Sequence, residues 1–277
     1  MEKVIFNGIT ISDNALENPL FLSHIEGLEA GSVKRNEIEY IDTDGVKFAD
    51  IFFEPRIVTI EGYIVAQSRH TLLNGRRQLL HAFNPKKQAE FYYKRGTETY
   101  YALAYADSLP EFGVRFGWCL PFTAYININS FYLLSGEEIN TTIFQKTNNL
   151  KTTFTLPCVF SYRTSTSTIF NDGDVELYGT VKLICSTDSD STNIEIKNVT
   201  ENTVFSIEGY EAEAGEIIII DFENGSAASN KKGNIMPYVS AESEFFPIVP
   251  GNNEISCTSE DIDLIASITY RKRYIGV

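Results

Sequence analysis

Histidine is scarce in this chain and stops early: the only three are His24, His70 and His81. Everything after residue 81 therefore cannot assemble a His-based catalytic triad or a His-ligated zinc site. Before it, no Ser-His-Asp or Cys-His arrangement is suggested by local pattern, and His81 reads as an ordinary helix residue. Tryptophan occurs once, as Trp118. The four cysteines, Cys119, Cys158, Cys185 and Cys257, stand far apart with no CxxC pair. That spacing excludes a dense disulfide scaffold and predicts reduced, separately buried thiols. Neither GxGxxG nor GxxxxGK[ST] occurs, so nothing points to a nucleotide cofactor. No run approaches the ~20 apolar residues that span a bilayer, and no membrane insertion is expected. The opening MEKVIFNGIT turns polar at once, without an apolar signal core, which predicts cytoplasmic synthesis.

Positive charge is also in short supply. Lys and Arg number 23 against 37 Asp and Glu, a formal net charge of −14. Residues 1–133 hold 13 basic and 16 acidic side chains, whereas residues 134–277 hold 10 and 21, so the second half carries most of the excess. Gripping a phosphate backbone needs Lys and Arg to displace condensed counterions, which makes a nucleic-acid-binding role a poor fit. Asp188-Ser189-Asp190 hints at calcium, but the loop has Asn193 and Val199 where an EF-hand needs Gly and Glu, so a polar turn is expected. No metal or cofactor is predicted. The sequons at Asn140, Asn198 and Asn224 are chance matches without secretion.

What the chain has in quantity is aromatic and β-branched residues, with 15 Tyr and 19 Phe among 277 residues. Such side chains favour pleated, half-buried strands, and the length suits two domains, each able to bury a core. Strands are expected from Val4 to Ile11, Phe21 to Leu28, Arg56 to Ile64, Ala89 to Tyr93, Tyr100 to Ala106, Val114 to Leu120 and Thr123 to Leu133. In the third of these Val58, Ile60 and Gly62 alternate with Ile57, Thr59 and Glu61, so one face is apolar. Asp44-Gly45 marks a hairpin turn between residues 37 and 64. One helix is predicted, Ser68 to Phe83, with Ser68 as cap, Leu72, Leu73, Leu79, Leu80 and Phe83 near one face, and Asn84-Pro85 as stop. Arg69, Arg76 and Arg77 on it read as a solvated charged face.

Composition changes near residue 134, where Ser135-Gly136-Glu137-Glu138 and Gln145 to Asn149 read as connecting segments. The division is therefore 1–134 and 135–277. Past it, turn signals recur between short strands such as Thr180 to Cys185, Asn193 to Val199, Glu216 to Phe222 and Leu264 to Tyr270. With no helix pattern between them, that is the signature of an antiparallel β-sandwich.

Taken in order, several motifs resemble the distal tail proteins of siphophages, phages or prophages of Gram-positive bacteria. They are Ile25-Glu26-Gly27-Leu28, Arg56 through Ile64, Arg77-Gln78-Leu79-Leu80 before Asn84-Pro85, Asn171 through Glu176, Gly215 through Asp221, Phe245 through Ile255 and Ile268-Thr269-Tyr270-Arg271. The resemblance implies a mostly-β chain: an N-terminal β-barrel or sandwich with one helix that forms a hexameric ring, then a galectin-like antiparallel β-sandwich. It implies a non-enzymatic structural hub of the tail tip, made in the host cytoplasm and carried in the virion tail. The partners it implies are further copies of itself, as one ring or two stacked rings, the tail tube protein, a tail-associated tip protein and a receptor-binding protein. DNA would pass through the lumen unheld, which the acidic balance suits. It also implies a belt reaching the next subunit. The polar hairpin at residues 38–56 is the candidate, with Phe48, Ile51, Phe52 and Phe53 as candidate subunit-interface residues. The competing reading is a carbohydrate-binding adhesin that uses the sandwich on a cell surface; against it, residues 135–277 contain no His or Trp.

Overall fold

The computed structural model describes residues 1–14, 18–29, 31–39, 46–145, 165–260 and 262–277. The chain divides into two compact units, Met1–Glu137 with Arg273–Val277, and Glu138–Lys272. The expected division at 134 placed the whole C-terminus in the second unit. Instead the last five residues belong to the first, so the second unit is an insertion in the first.

The first unit opens with β1 (Glu2–Phe6) and β2 (Ile9–Ser12). Where one strand was expected there is a hairpin, because Asn7 and Gly8 both take positive φ, the conformation a two-residue turn demands. There follow β3 (Leu20–Glu26), β4 (Val33–Glu39), β5 (Val46–Phe53), β6 (Arg56–Val65), α1 (Arg69–Ala82), β7 (Gln88–Arg95), β8 (Glu98–Ala106), β9 (Glu111–Phe112), β10 (Cys119–Ile128) and β11 (Leu133–Ser135). Seven of these close on themselves in the order β1, β2, β3, β6, β10, β8, β7 and back to β1. Every junction is antiparallel except that between β2 and β3. Closure leaves a small barrel whose interior must be filled by side chains. Val4, Phe6, Ile11, Val58, Ile60, Ile64, Phe91, Phe122 and Ile126 fill it, with Ala104 and Ala124 where space is short. The alternation read along β6 holds: Val58, Ile60, Gly62 and Ile64 are buried while Ile57, Glu61 and Tyr63 are exposed.

Among the described residues α1 is the sole α-helix. Ser68 caps it by accepting from the Thr71 backbone N–H. Its inner face is Leu72, Gly75, Leu79 and Ala82, with Phe83 just beyond packing on Phe6; Leu73 is exposed and Leu80 only half-buried, contrary to their expected place on the apolar face. Gly75 costs helix propensity but allows contact, since a Cβ there would stand 2.8 Å from Ile64 Cγ2.

The second unit comprises β12 (Ile139–Gln145), β13 (Ser165–Asn171), β14 (Thr180–Cys185), β15 (Ser189–Asn198), β16 (Thr203–Ala212), β17 (Ile217–Asp221), β18 (Ser226–Ser229), β19 (Gly233–Asn234), β20 (Gly251–Ser259) and β21 (Leu264–Tyr270). Two antiparallel sheets, β12-β21-β14-β17-β18-β19 and β13-β20-β15-β16, form the expected sandwich. Its core is aliphatic, led by Val181, Leu183, Ile194, Ile196, Ile207, Ile218, Ile220 and Ile255, with Phe205 and Tyr210. Cys185 and Cys257 are buried here as free thiols, their pKa values pushed by burial up to about 11 and about 12. Cys119, expected to be buried, is only half-buried on β10, and Cys158 lies outside the described residues.

Candidate assembly surface

Among the described residues, strands β4 and β5 pair with each other and with no strand of the barrel, making a separate two-stranded arm. The register sets Val33 opposite Phe53, Lys34 opposite Phe52, Arg35 opposite Ile51 and Asn36 opposite Asp50. Cross-strand partners share a face, so Val33, Arg35, Ile51 and Phe53 lie on one side and Lys34, Asn36, Asp50 and Phe52 on the other. Isolated two-stranded hairpins are marginal in water, and this one leaves large apolar side chains uncovered. Ile51 is 60% exposed, Phe52 52% and Phe53 49%. Of the four predicted interface residues, three therefore sit together on the arm. The side chain of Phe48 and the turn Asp42 to Gly45 lie outside the described residues.

The arm's root, by contrast, is tightly held. Arg56, at the start of β6, is 2% exposed and donates to the backbone carbonyls of Leu28 at 2.6 Å, Phe131 at 3.1 Å and Ile275 at 2.5 Å. Burial alone lowers its pKa. The same guanidinium lies 5.4 Å from the centre of the Phe131 ring, and Phe53 stacks on that ring from the arm, centroids 3.9 Å apart. Gly31, at the entry to the arm, faces Phe131 so closely that a Cβ would come within 2.1 Å of Cε2. One buried cation thus joins the segment before the arm, the loop after β10 and the chain's last residues. Sequence reading placed Arg56 only as a strand residue; an arginine opening an apolar strand was the available signal.

A second exposed surface was not foreseen. Val114 to Leu120, expected as a strand, is mostly a loop, because Phe116 and Cys119 exchange backbone hydrogen bonds around Gly117 at positive φ. Val114 is 90% and Phe116 87% exposed, with Trp118 half out and Arg115 over its ring. Alternating apolar residues imitate a strand whether they face a core or a partner, so pattern alone could not separate the two.

The sandwich core contains a buried polar cluster around Glu216. Glu216 is fully buried and accepts from Tyr210 Oη at 2.5 Å, from Ser229 Oγ and from the Glu213 backbone N–H at 2.9 Å. Burial raises the Glu216 carboxyl, but the donated hydrogen bonds outweigh it and hold the group below the ordinary range. Tyr210 is lifted by burial and by that carboxylate. Every member has a partner within the unit, and the cluster reads as a core tie. Asp188 takes the Ala214 backbone N–H at 2.7 Å, as a polar turn should.

A barrel with a rooted arm, followed by a two-sheet sandwich, is the fold of a structural phage-tail component, and sequence comparison agrees. Residues 15–117 match the phage tail protein RIFT-related domain and residues 172–274 the C-terminal domain of the siphovirus-type tail component. The chain belongs to the siphovirus-type phage tail component family. Among solved structures it is similar to the Dit (gp 19.1) protein of phage SPP1, described as a paradigm of the hub of the adsorption apparatus in phages infecting Gram-positive bacteria. That likeness has a TM-score of 0.70 at 11% identity over 99% of both chains. It is also similar to a chain of the phage p2 baseplate in its activated conformation. With calcium the TM-score is 0.55 at 10% identity over 100% of both chains; with strontium it is 0.55 at 11% over 100% of this chain and 99% of the other. No curated protein sequence matches.

Proposed function

We propose that this protein is the hub at the distal end of a siphophage tail. In this reading the first unit assembles into a six-membered ring and the arm reaches the neighbouring subunit. The ring joins the tail tube protein to a tail-associated tip protein and to receptor-binding proteins. The observation that carries the reading is the arm: a two-stranded extension with uncovered apolar side chains, anchored by a buried arginine. An exposed cluster of that kind usually marks an interaction surface. Arm and barrel are different surfaces, so the contact is heterologous, and a heterologous contact that closes gives a ring. The hub described for the SPP1 relative and the baseplate setting of the p2 relative support the placement. Light scattering coupled to gel filtration tests it. The expected mass is six or twelve times the 31.2 kDa of one chain. A mass that stays at one chain across protein and salt concentrations overturns the ring.

A further inference from the structure

Charge is distributed along the first unit in two opposed blocks. From residue 62 to residue 89 there is no Asp or Glu, while Arg69, Arg76, Arg77, Lys86 and Lys87 occur, in a chain whose net charge is −14. All five are exposed, and among the described residues none forms an ion pair, although Arg76 lies over the Phe112 ring at 4.8 Å. On the outer side of α1, Arg69, Arg76 and Arg77 stand three or four residues from Leu73, which is 49% exposed. Beside them is an open recess lined by Ile9, Asn74, Arg77, Gln78 and His81. The opposite block is the arm: residues 33–54 carry Glu37, Glu39, Asp42, Asp44, Asp50 and Glu54 against Lys34, Arg35 and Lys47, an acidic excess of three. Both blocks mix charge with uncovered apolar side chains, Leu73 on the helix and Ile51 and Phe52 on the arm.

Their positions favour a contact between subunits. The arm is rooted at Arg56, the first residue of β6, whereas α1 packs through Gly75 on Ile64, near its last. Ten residues of strand set the two places roughly 30 Å apart. Donor and acceptor at opposite ends of one unit suit a head-to-tail contact.

We propose that the basic outer face of α1 is the acceptor for the acidic arm of the next copy of this chain. The inference rests on the arm reading above and adds the surface that receives it. Complementary charge fixes register and partner choice more than it supplies affinity, so reversing its sign should disrupt docking without unfolding the unit, Arg69, Arg77 and Asp50 being exposed and Glu54 half-buried. Two variants test it by light scattering: Arg69→Glu with Arg77→Glu on the helix, and Asp50→Arg with Glu54→Arg on the arm. Each alone is expected to fall to the mass of a single chain while keeping its melting temperature. Mixed, the two restore complementary charge at both kinds of contact and should assemble again, which docking within one chain cannot produce. If the helix variant assembles as the unaltered chain does while the arm variant fails, the arm reading stands and this acceptor is wrong. If both assemble normally, the arm itself is not the contact. A mixture that stays dissociated, or a helix variant whose sole defect is in retaining DNA, also overturns the proposal.

Discussion

Arg56 in the first unit and Glu216 in the second are the most deeply buried charged side chains among the described residues. Arg56 holds three carbonyls from three distant segments, so removing it takes a donor from each, although Leu28 keeps the Val277 N–H. Leaving one such group unsatisfied costs about 1–3 kcal/mol. Arg56→Met is therefore expected to lower the stability of the first unit by about 3 kcal/mol in denaturant unfolding. Arg56→Lys should recover only part, because an ammonium lacks the guanidinium fork that spans Leu28, Phe131 and Ile275. Equal stability for Met and Arg at this position would show that the latch is incidental. Glu216 has a pH signature. Its carboxylate is held below the ordinary range by Ser229, Tyr210 and the Glu213 N–H in spite of burial, so its contribution is present above the unfolded value near ~4.3. That contribution disappears as pH falls through the folded value. The stability advantage of the unaltered chain over Glu216→Gln should thus be largest near neutral pH, about 2–3 kcal/mol, and shrink below about pH 4. An advantage that grows on acidification would reverse the sign and refute the assignment.

Among the elements, the arm is the place where the proposed assembly can be tested apart from folding. Ile51 and Phe52 are exposed, and Ser at both positions should leave the subunit's unfolding free energy within about 0.5 kcal/mol of unchanged. The assembly should dissociate, because burial of roughly 1.5–3 kcal/mol per side chain would be lost from the contact. Phe53→Ser should instead weaken the subunit, since that ring stacks on Phe131. A lower melting temperature for the Ile51/Phe52 variant, with assembly intact, would assign those side chains to their own barrel. The loop tip carries its own reporter. Val114 and Phe116 are 90% and 87% exposed beside the half-exposed Trp118, so a contact that covers this loop should shift the emission of Trp118, the only tryptophan, to the blue as subunits associate. These elements also show what the sequence made legible. Thr180–Cys185 and Leu264–Tyr270 have the bounds their alternation predicted, because both are half-buried strands whose period reports burial directly. The hairpin at Asn7-Gly8 was missed although Asn-Gly is a strong turn signal, because Val4 to Ile11 reads as continuous β-branched strand. That Ile51 and Phe52 sit uncovered on the arm is seen in the structure, while their burial against a neighbouring subunit belongs to the proposal above. Arg56 was not legible, since its partners lie up to 219 residues away in sequence.

At the scale of the whole molecule, the important feature is that the sandwich is inserted between two pieces of the first unit. Strand β11 pairs with Arg273–Tyr274, so the residues flanking the insertion meet within one sheet. Beyond that pair, Tyr274 packs edge-on against Tyr100 at 5.3 Å, Ile275 receives Arg56, and the Val277 N–H donates to the Leu28 carbonyl at 3.1 Å. Gly276 passes so close to the Glu29 carbonyl that a Cβ would stand 2.1 Å from it. The five terminal residues are thus a built part of the first unit, reaching the same root that anchors the arm. Deleting residues 273–277 removes the third carbonyl from Arg56 and uncovers Tyr100, and should cost the first unit about 3 kcal/mol. In calorimetry that corresponds to a fall of roughly 10 °C in the first unit's transition. The sandwich, whose strands all lie within Glu138–Lys272, should melt where it did before. Assembly should weaken along with the first unit, because the arm then loses its fixed exit from the barrel. If instead the sandwich transition moves and the first unit's does not, the terminal residues belong energetically to the second unit, and the latch at Arg56 is held by Leu28 and Phe131 alone.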